Sequence, residues 1–260
     1  SGRGVDLNND VIAASGTVSM SGQHNTGATY AISLSGSTSI TAGTGVTLES
    51  LNDNTGTIAL LSSGGIDGGS GTVLMRAANY AFGGADRTIT TTGVLTIEPD
   101  ADENSFASSF DNQYLNPVSV TGLTLGKSSN TSAITLSRAI SLSGPVSIYG
   151  GSIDVNANIT ANSGNILLDA DTGSTLNQSS TGILLDDVIT IETVTSGNLT
   201  LIGRSGDTGS GFDGIDASSA NTTTLRSAGN LTLQGYSYAA SGSGRGVDLN
   251  NDVIAASGTV

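Results

Sequence analysis

Asp100, Asp102, Asn104 and Asp111 occupy positions 1, 3, 5 and 12 of a run that begins at Asp100. Alternate oxygen donors at the start of a turn, closed by a carboxylate eleven residues on, can converge on one hard cation, so this spacing makes a calcium loop the first chemistry to weigh. Ser105 holds the sixth position, where such a loop turns sharply and ordinarily carries Gly. The same stretch puts Phe106, Phe110 and Tyr114 at i, i+4 and i+8, on one face of a short helix opened by Asn104 or Ser105 and closed before Pro117. That helix would cover a strand-poor side of the fold or make lateral contacts between neighbouring fibres. Asp111 would lie inside it, so helix and calcium loop partly exclude each other.

Other candidate chemistry is sparse. The stretches from Gly206 to Asp216 and from Gly64 to Gly69 resemble turns of a glycine- and aspartate-rich calcium roll, but that architecture needs consecutive copies that complete one another's sites, and isolated ones read as turns between strands. The single His, His24, sits in a polar turn, and with no Cys there is neither a second soft metal ligand nor a nucleophile relay. Asp169, Asp171, Asp186 and Asp187 could serve a glycan-cleaving enzyme if adjacent coils aligned them, yet paired acids at strand ends are usually solvated turns. Catalysis is therefore not expected, and no cofactor is expected beyond the calcium candidate.

The elements that must position these residues announce themselves by repetition. Residues 1 to 18, SGRGVDLNNDVIAASGTV, recur unchanged as residues 243 to 260, so residues 1–242 form one complete copy and 243–260 begin the next. Identical copies of this length suit a protein whose work scales with length, because further copies extend a fibre without improving an active site. The 36% hydrophobic content and mean hydropathy of +0.07 point to a folded chain, and 37 Gly with abundant Ser, Thr and Asn suit short strands joined by tight turns. The formal charge is −14, or −13 per copy once Arg245, Asp248 and Asp252 of the second copy are left out. Such a polyanion repels nucleic acid and anionic lipid, and no run approaches the ~18 apolar residues of a membrane span.

Segments such as Val46-Thr47-Leu48, Val94-Leu95-Thr96-Ile97, Ile134-Thr135-Leu136 and Val146-Ser147-Ile148 alternate apolar with Ser or Thr, the period of a strand with one face in a core. Ser163-Gly164-Asn165-Ile166, Ser196-Gly197-Asn198-Leu199 and Ala228-Gly229-Asn230-Leu231 follow one another at intervals of 33 and 32 residues. Coils with two or three short strands each are the rungs of a parallel β-helix. At about 22 residues and about 4.8 Å per rung, one copy makes about 11 rungs. An immunoglobulin-type array would want about 100 residues per domain and a core Trp or Tyr, and the copy has no such subdivision.

The runs Gly122–Leu136, Ala139–Asn156 and Ala161–Leu168 resemble the repeats of giant filamentous-haemagglutinin-like bacterial surface proteins. The resemblance is clearest over about residues 93 to 170. It implies an all-β, right-handed parallel β-helix, extracellular or at the surface of a bacterium with an outer membrane, serving adhesion, fibre formation or cell-to-cell contact.

The sequence thus predicts a structural, length-giving repeat of a secreted or cell-surface fibre, continuous across tandem copies that join end to end. Glycan binding along one face is the alternative, and exposed rings at Tyr30, Tyr236 or Tyr238 would favour it. At the junction, Val5, Leu7, Val11 and Ile12 are expected to face the core together with Val247, Leu249, Val253 and Ile254.

Overall fold

The computed structural model describes residues 3–24, 29–51, 55–61, 64–84, 86–117, 119–170, 180–206, 210–217, 222–238, 241–250 and 252–260. The chain divides into two compact units, residues 1–126 and 127–260. Each is a parallel β-helix.

In the first unit strands follow in threes. The first two rungs are β1 (Val5–Asn8), β2 (Val11–Ala14), β3 (Val18–Gly22) and β4 (Ile32–Ser35), β5 (Ser39–Ala42), β6 (Val46–Ser50). Next come β7 (Thr57–Leu60), β8 (Ile66–Asp67), β9 (Val73–Arg76) and β10 (Asn79–Phe82), β11 (Arg87–Thr90), β12 (Val94–Glu98). The last three are β13 (Phe110–Asp111), β14 (Leu115–Pro117) and β15 (Gly122–Leu125). Stacking every third strand gives three parallel sheets, ordered β1-β4-β7-β10, β2-β5-β8-β11-β14 and β3-β6-β9-β12-β15.

The second unit repeats the scheme. Its rungs are β16 (Ile134–Leu136), β17 (Ile140–Leu142), β18 (Val146–Gly150); β19 (Ile153–Val155), β20 (Ile159–Ser163), β21 (Ile166–Ala170); and β22 (Ile183–Leu185), β23 (Thr190–Ser196), β24 (Leu199–Arg204). They are followed by β25 (Ile215–Ala217), β26 (Thr224–Ser227), β27 (Leu231–Tyr236), then β28 (Val247–Leu249) and β29 (Val253–Ala256). The sheets run β16-β19-β22-β25-β28, β17-β20-β23-β26-β29 and β18-β21-β24-β27.

Register turns the period-two pattern into columns of like side chains. Val18, Val46, Val73, Leu95 and Leu123 stack in the first unit, and Ile140, Ile159, Ile191, Leu225 and Ile254 in the second. All but the two end members, Val18 and Ile254, are within a few per cent of complete burial. Each such aliphatic side chain removed from water stabilises the fold by about 1.5–3 kcal/mol.

Rung length is not the uniform 22 residues expected. Val146 lies opposite Ile166, 20 residues on, whereas Ile166 lies opposite Leu199, 33 on. The core fixes three strands per rung, while the loops outside it lengthen at little entropic cost, so the copy has nine rungs between Val5 and Tyr236 rather than eleven.

Two kinds of turn hold the rungs in step. In the Ser/Ala-Gly-Asn turns, the Asn165 Oδ1 accepts the Asn198 N–H at 2.8 Å and the Asn198 Oδ1 accepts the Asn230 N–H at 2.9 Å. Gly164 and Gly197 sit at φ +136° and +112°, which an L side chain rarely adopts. Replacing Asn198 by Ala removes one side-chain rung of this ladder and leaves the Asn230 N–H without that acceptor. Thermal unfolding should show a loss of about 1–2 kcal/mol.

At the other turn, the strand of the third sheet ends on a small residue that packs against the entry to the next rung. A Cβ on Gly22 would lie 2.2 Å from the Ala31 carbonyl oxygen, on Gly203 2.0 Å from that of Gly214, and on Gly235 1.7 Å from that of Gly246.

Two expectations fail. Among the described residues 104–117 no helix forms; the segment is turn and bend around β13 and β14. Asn104, Ser105, Ser108, Ser109, Asp111 and Asn112 are poor helix formers, and a helix this short is marginal without packing along its length. Phe106 and Phe110 instead bury themselves against Tyr80 and Phe82, at ring-centroid distances of 5.6–6.1 Å. Nor do Val11 and Val253 face the core: they are 75% and 45% exposed. In a strand Val11 and Ile12 must point to opposite sides, and it is Ile12 and Ile254 that turn inward.

Candidate functional site

The first place where the structure gathers functional groups is the boundary between copies. Residues 243–260 continue the sheets below them: β28 pairs with β25, Asp248 lying opposite Asp216, and β29 pairs with β26, Ile254 lying opposite Leu225. The Gly214 and Ile215 N–H groups donate to the carbonyls of Arg245 and Gly246 at 2.9 Å each, and the Leu231 N–H donates to the Thr259 carbonyl at 2.9 Å. The Asn ladder runs on as well, the Asn230 Oδ1 accepting the Thr259 N–H at 3.0 Å.

The two occurrences of the 18-residue sequence also adopt one local conformation. Arg3 pairs with Asp6 as Arg245 does with Asp248, and the Asn8 and Asn250 N–H groups donate to Asp10 and Asp252. The segment from Ser241 to Gly246 is bonded to the rung beneath it and is not a free linker.

This boundary holds an acidic cluster. Asp213, Asp216 and Asp248 place carboxylate oxygens within 4.8 Å of one another, the one such group of three among the described residues. Asp248 is the second copy's Asp6, so the cluster needs both copies. Asp213 is buried, accepts the Arg245 N–H, and has its pKa raised by burial and by the charges of Asp216 and Asp248. Three carboxylates facing one another could hold a hard cation; Arg245 supplies part of the compensating charge itself.

Asp169, ion-paired to Arg204 at 3.0 Å, is likewise raised by burial against the opposing pull of Arg204. A carboxyl whose pKa is raised on folding destabilises the native state above that pKa. The penalty is relieved as pH falls through it toward the ordinary value of 3.8. The unfolding midpoint should therefore rise from pH 7 to about pH 5. Asp213→Asn, which keeps an acceptor for the Arg245 N–H, should flatten that rise; an unchanged slope in a pH series of melts would show that Asp213 is not its source.

The second gathering is the corner built by residues 78–114. The calcium loop expected at Asp100, Asp102, Asn104 and Asp111 does not assemble. Asp100 is buried and lines, with Asp102 and Glu49, a cavity of about 90 Å³. Asp111 lies on β13, and Asp100, Asp102 and Asp111 form no group of three within 4.8 Å. Sequence spacing put these oxygens on one turn, but the aromatic residues between them are drawn into the core.

Phe106, Phe110, Tyr114 and Asp111 do meet, in another cavity of about 230 Å³ lined also by Tyr80 and Phe82 and by Asn79, Ser108, Ser109 and Gln113. The Tyr80 hydroxyl turns away from it, donating to the carbonyls of Met75 and Glu98 at 2.8 and 3.0 Å.

Of the four acids weighed for catalysis, Asp171 lies outside the described residues, and Asp169, Asp186 and Asp187 form no close group of three. In the glycine- and aspartate-rich stretch, residues 207–209 also lie outside; its Asp213 and Asp216 are the ones that join the boundary cluster. Tyr236 and Tyr238 are 44% and 41% exposed and stack with ring centroids 6.4 Å apart, with the Arg204 guanidinium over Tyr236. Tyr30, half-buried, lies under Arg3. Comparison with protein-family models, curated proteins and solved structures gives no match.

Proposed function

We propose that this chain is a structural, length-giving repeat of a secreted or cell-surface fibre that mediates attachment or cell-to-cell contact, on a bacterium with an outer membrane. The boundary between copies carries the reading. The start of the next copy is paired in register with β25 and β26 and hydrogen-bonded to the first residue of β27, so a further copy lengthens the β-helix instead of adding a separate bead. The resemblance to filamentous-haemagglutinin-like repeats and the polyanionic exterior agree with it. The fibre needs no reaction and no cofactor.

The reading is tested with chains of one, two and four copies. The denaturant m-value per molecule should grow with copy number, and protease should not cut preferentially between residues 241 and 246. Constant m-values with ready cleavage there would mean independent beads. Calcium would act at most locally, because the core columns are aliphatic. Chelation should leave the melting midpoint of the bulk β signal unchanged, and collapse of that signal would mean a metal-dependent fold.

A glycan-binding β-helix module is the second reading, favoured by the exposed, stacked Tyr236 and Tyr238. Flat rings on a Ser/Thr-rich surface offer the apolar face on which sugar C–H groups stack.

A further inference from the structure

The cavity at the β10 corner combines features that no other part of the described surface brings together. β10 is the last strand of its sheet. The N–H groups of Asn79 and Gly83 donate toward β7, so those of Tyr80 and Phe82 point the other way, to the side where a further strand would lie. Ala78, Tyr80 and Phe82, the alternate residues with that orientation, are the ones that line the cavity. The covering segment occupies this edge only in part, through the Ala107 N–H on the Ala78 carbonyl at 2.9 Å and the Ser108 hydroxyl on Asn79 at 2.9 Å.

Tyr80 and Phe82 stand above Ile58 and Leu60 in the inward columns, yet both remain half-buried, with part of each ring uncovered. Exposed Asp111 and Gln113 stand on the opposite wall beside the half-buried Tyr114.

We infer that this cavity is a binding site for a single neutral pyranose ring, one per 242-residue copy. Three observations select that class. Aromatic faces beside amide, hydroxyl and carboxylate groups match a ring with an apolar C–H face and hydroxyls around its edge. The only charged lining residue is Asp111, and no Lys or Arg is present to hold a phosphate, sulfate or uronate. A volume of about 230 Å³ accommodates one hexose and not a peptide strand of several residues. The inference takes up the glycan reading at a different place in the fold and is independent of the tyrosine pair. In an array, weak single sites would add through avidity.

The test is nuclear magnetic resonance titration of the 260-residue chain with glucose, galactose, mannose and N-acetylglucosamine, with glucuronic acid and a short apolar peptide as comparisons. At least one neutral sugar should bind with a Kd on the order of millimolar and shift the amide signals of Tyr80, Phe82 and Gln113. Gln113→Ala and Asp111→Asn, both at exposed positions, should each weaken it about tenfold with the melting midpoint unchanged. Three results would each overturn the site: no neutral sugar moving those signals at concentrations on the order of 50 mM, binding that survives both substitutions, or preference for the peptide. Loss of sugar binding on Tyr236→Ala and Tyr238→Ala alone would also overturn it while upholding the glycan reading elsewhere.

Discussion

A chain carrying Gly203→Val should unfold about 3 kcal/mol more easily than its parent, or fail to form the β-helix of residues 127–260 at all. Gly203 ends β24, and the chain returns so closely to start β25 that a Cβ there would sit 2.0 Å from the Gly214 carbonyl oxygen and 2.8 Å from the Ile215 Cγ1. Both obstacles belong to the rung entry itself. Relief would separate β24 from β25 and pull Ile215, fully buried, out of its column under Val247. Gly16→Ala is the control, since nothing lies within 4 Å of a Cβ there, and it should change stability by less than about 0.5 kcal/mol. Equal effects from the two substitutions in denaturant melts would remove close approach as the explanation.

Deleting residues 243–260 should make the protein assemble more, although it shortens it. A chain that ends at residue 242 exposes the edges of β25, β26 and β27, and its own β1, β2 and β3 have the sequence that those edges accept. One molecule therefore fits onto the next end to end in the register already described. In the 260-residue chain the upper edge is β28 and β29, which are copies of β1 and β2 and whose counterparts within the copy are β4 and β5. The two ends then do not match. Light scattering should show mass growing with concentration for residues 1–242 far more than for 1–260, and a synthetic peptide of residues 243–260 should suppress it. Equal behaviour of the two chains would contradict complementary ends.

How much of this was legible in the sequence follows from which signals are local. Period two in Val46-Thr47-Leu48 and Val146-Ser147-Ile148 marks strands whatever surrounds them, and the 33- and 32-residue spacing of the Gly-Asn turns is the register that places Ile166 opposite Leu199 and Leu199 opposite Leu231. Rung count was not legible, because loops such as those around residues 171–179 change length without disturbing the core alternation. The i, i+4, i+8 aromatics were misleading: that spacing is necessary for a helical face but says nothing of the open corner at Tyr80 and Phe82 that competes for the same rings. The acidic cluster was half visible. Asp213 and Asp216 stood out in a glycine-rich stretch, but Asp248 comes near them only because one copy stacks on another, a relation that spacing along a chain does not encode.

Amide hydrogen exchange at Gly214, Ile215 and Leu231 tests most directly whether successive copies form one continuous β-helix. In the 260-residue chain, and equally at the internal boundary of a two-copy chain, these three N–H groups have their acceptors in the following copy, at Arg245, Gly246 and Thr259. They should exchange as slowly as interior amides such as Ile183 and Leu199, and in a chain cut at residue 242 and held monomeric at low concentration they should exchange orders of magnitude faster. Fast exchange at all three in the two-copy chain, beside slow exchange at Ile183 and Leu199, would mean that the copies fold as separate bodies and would contradict the account.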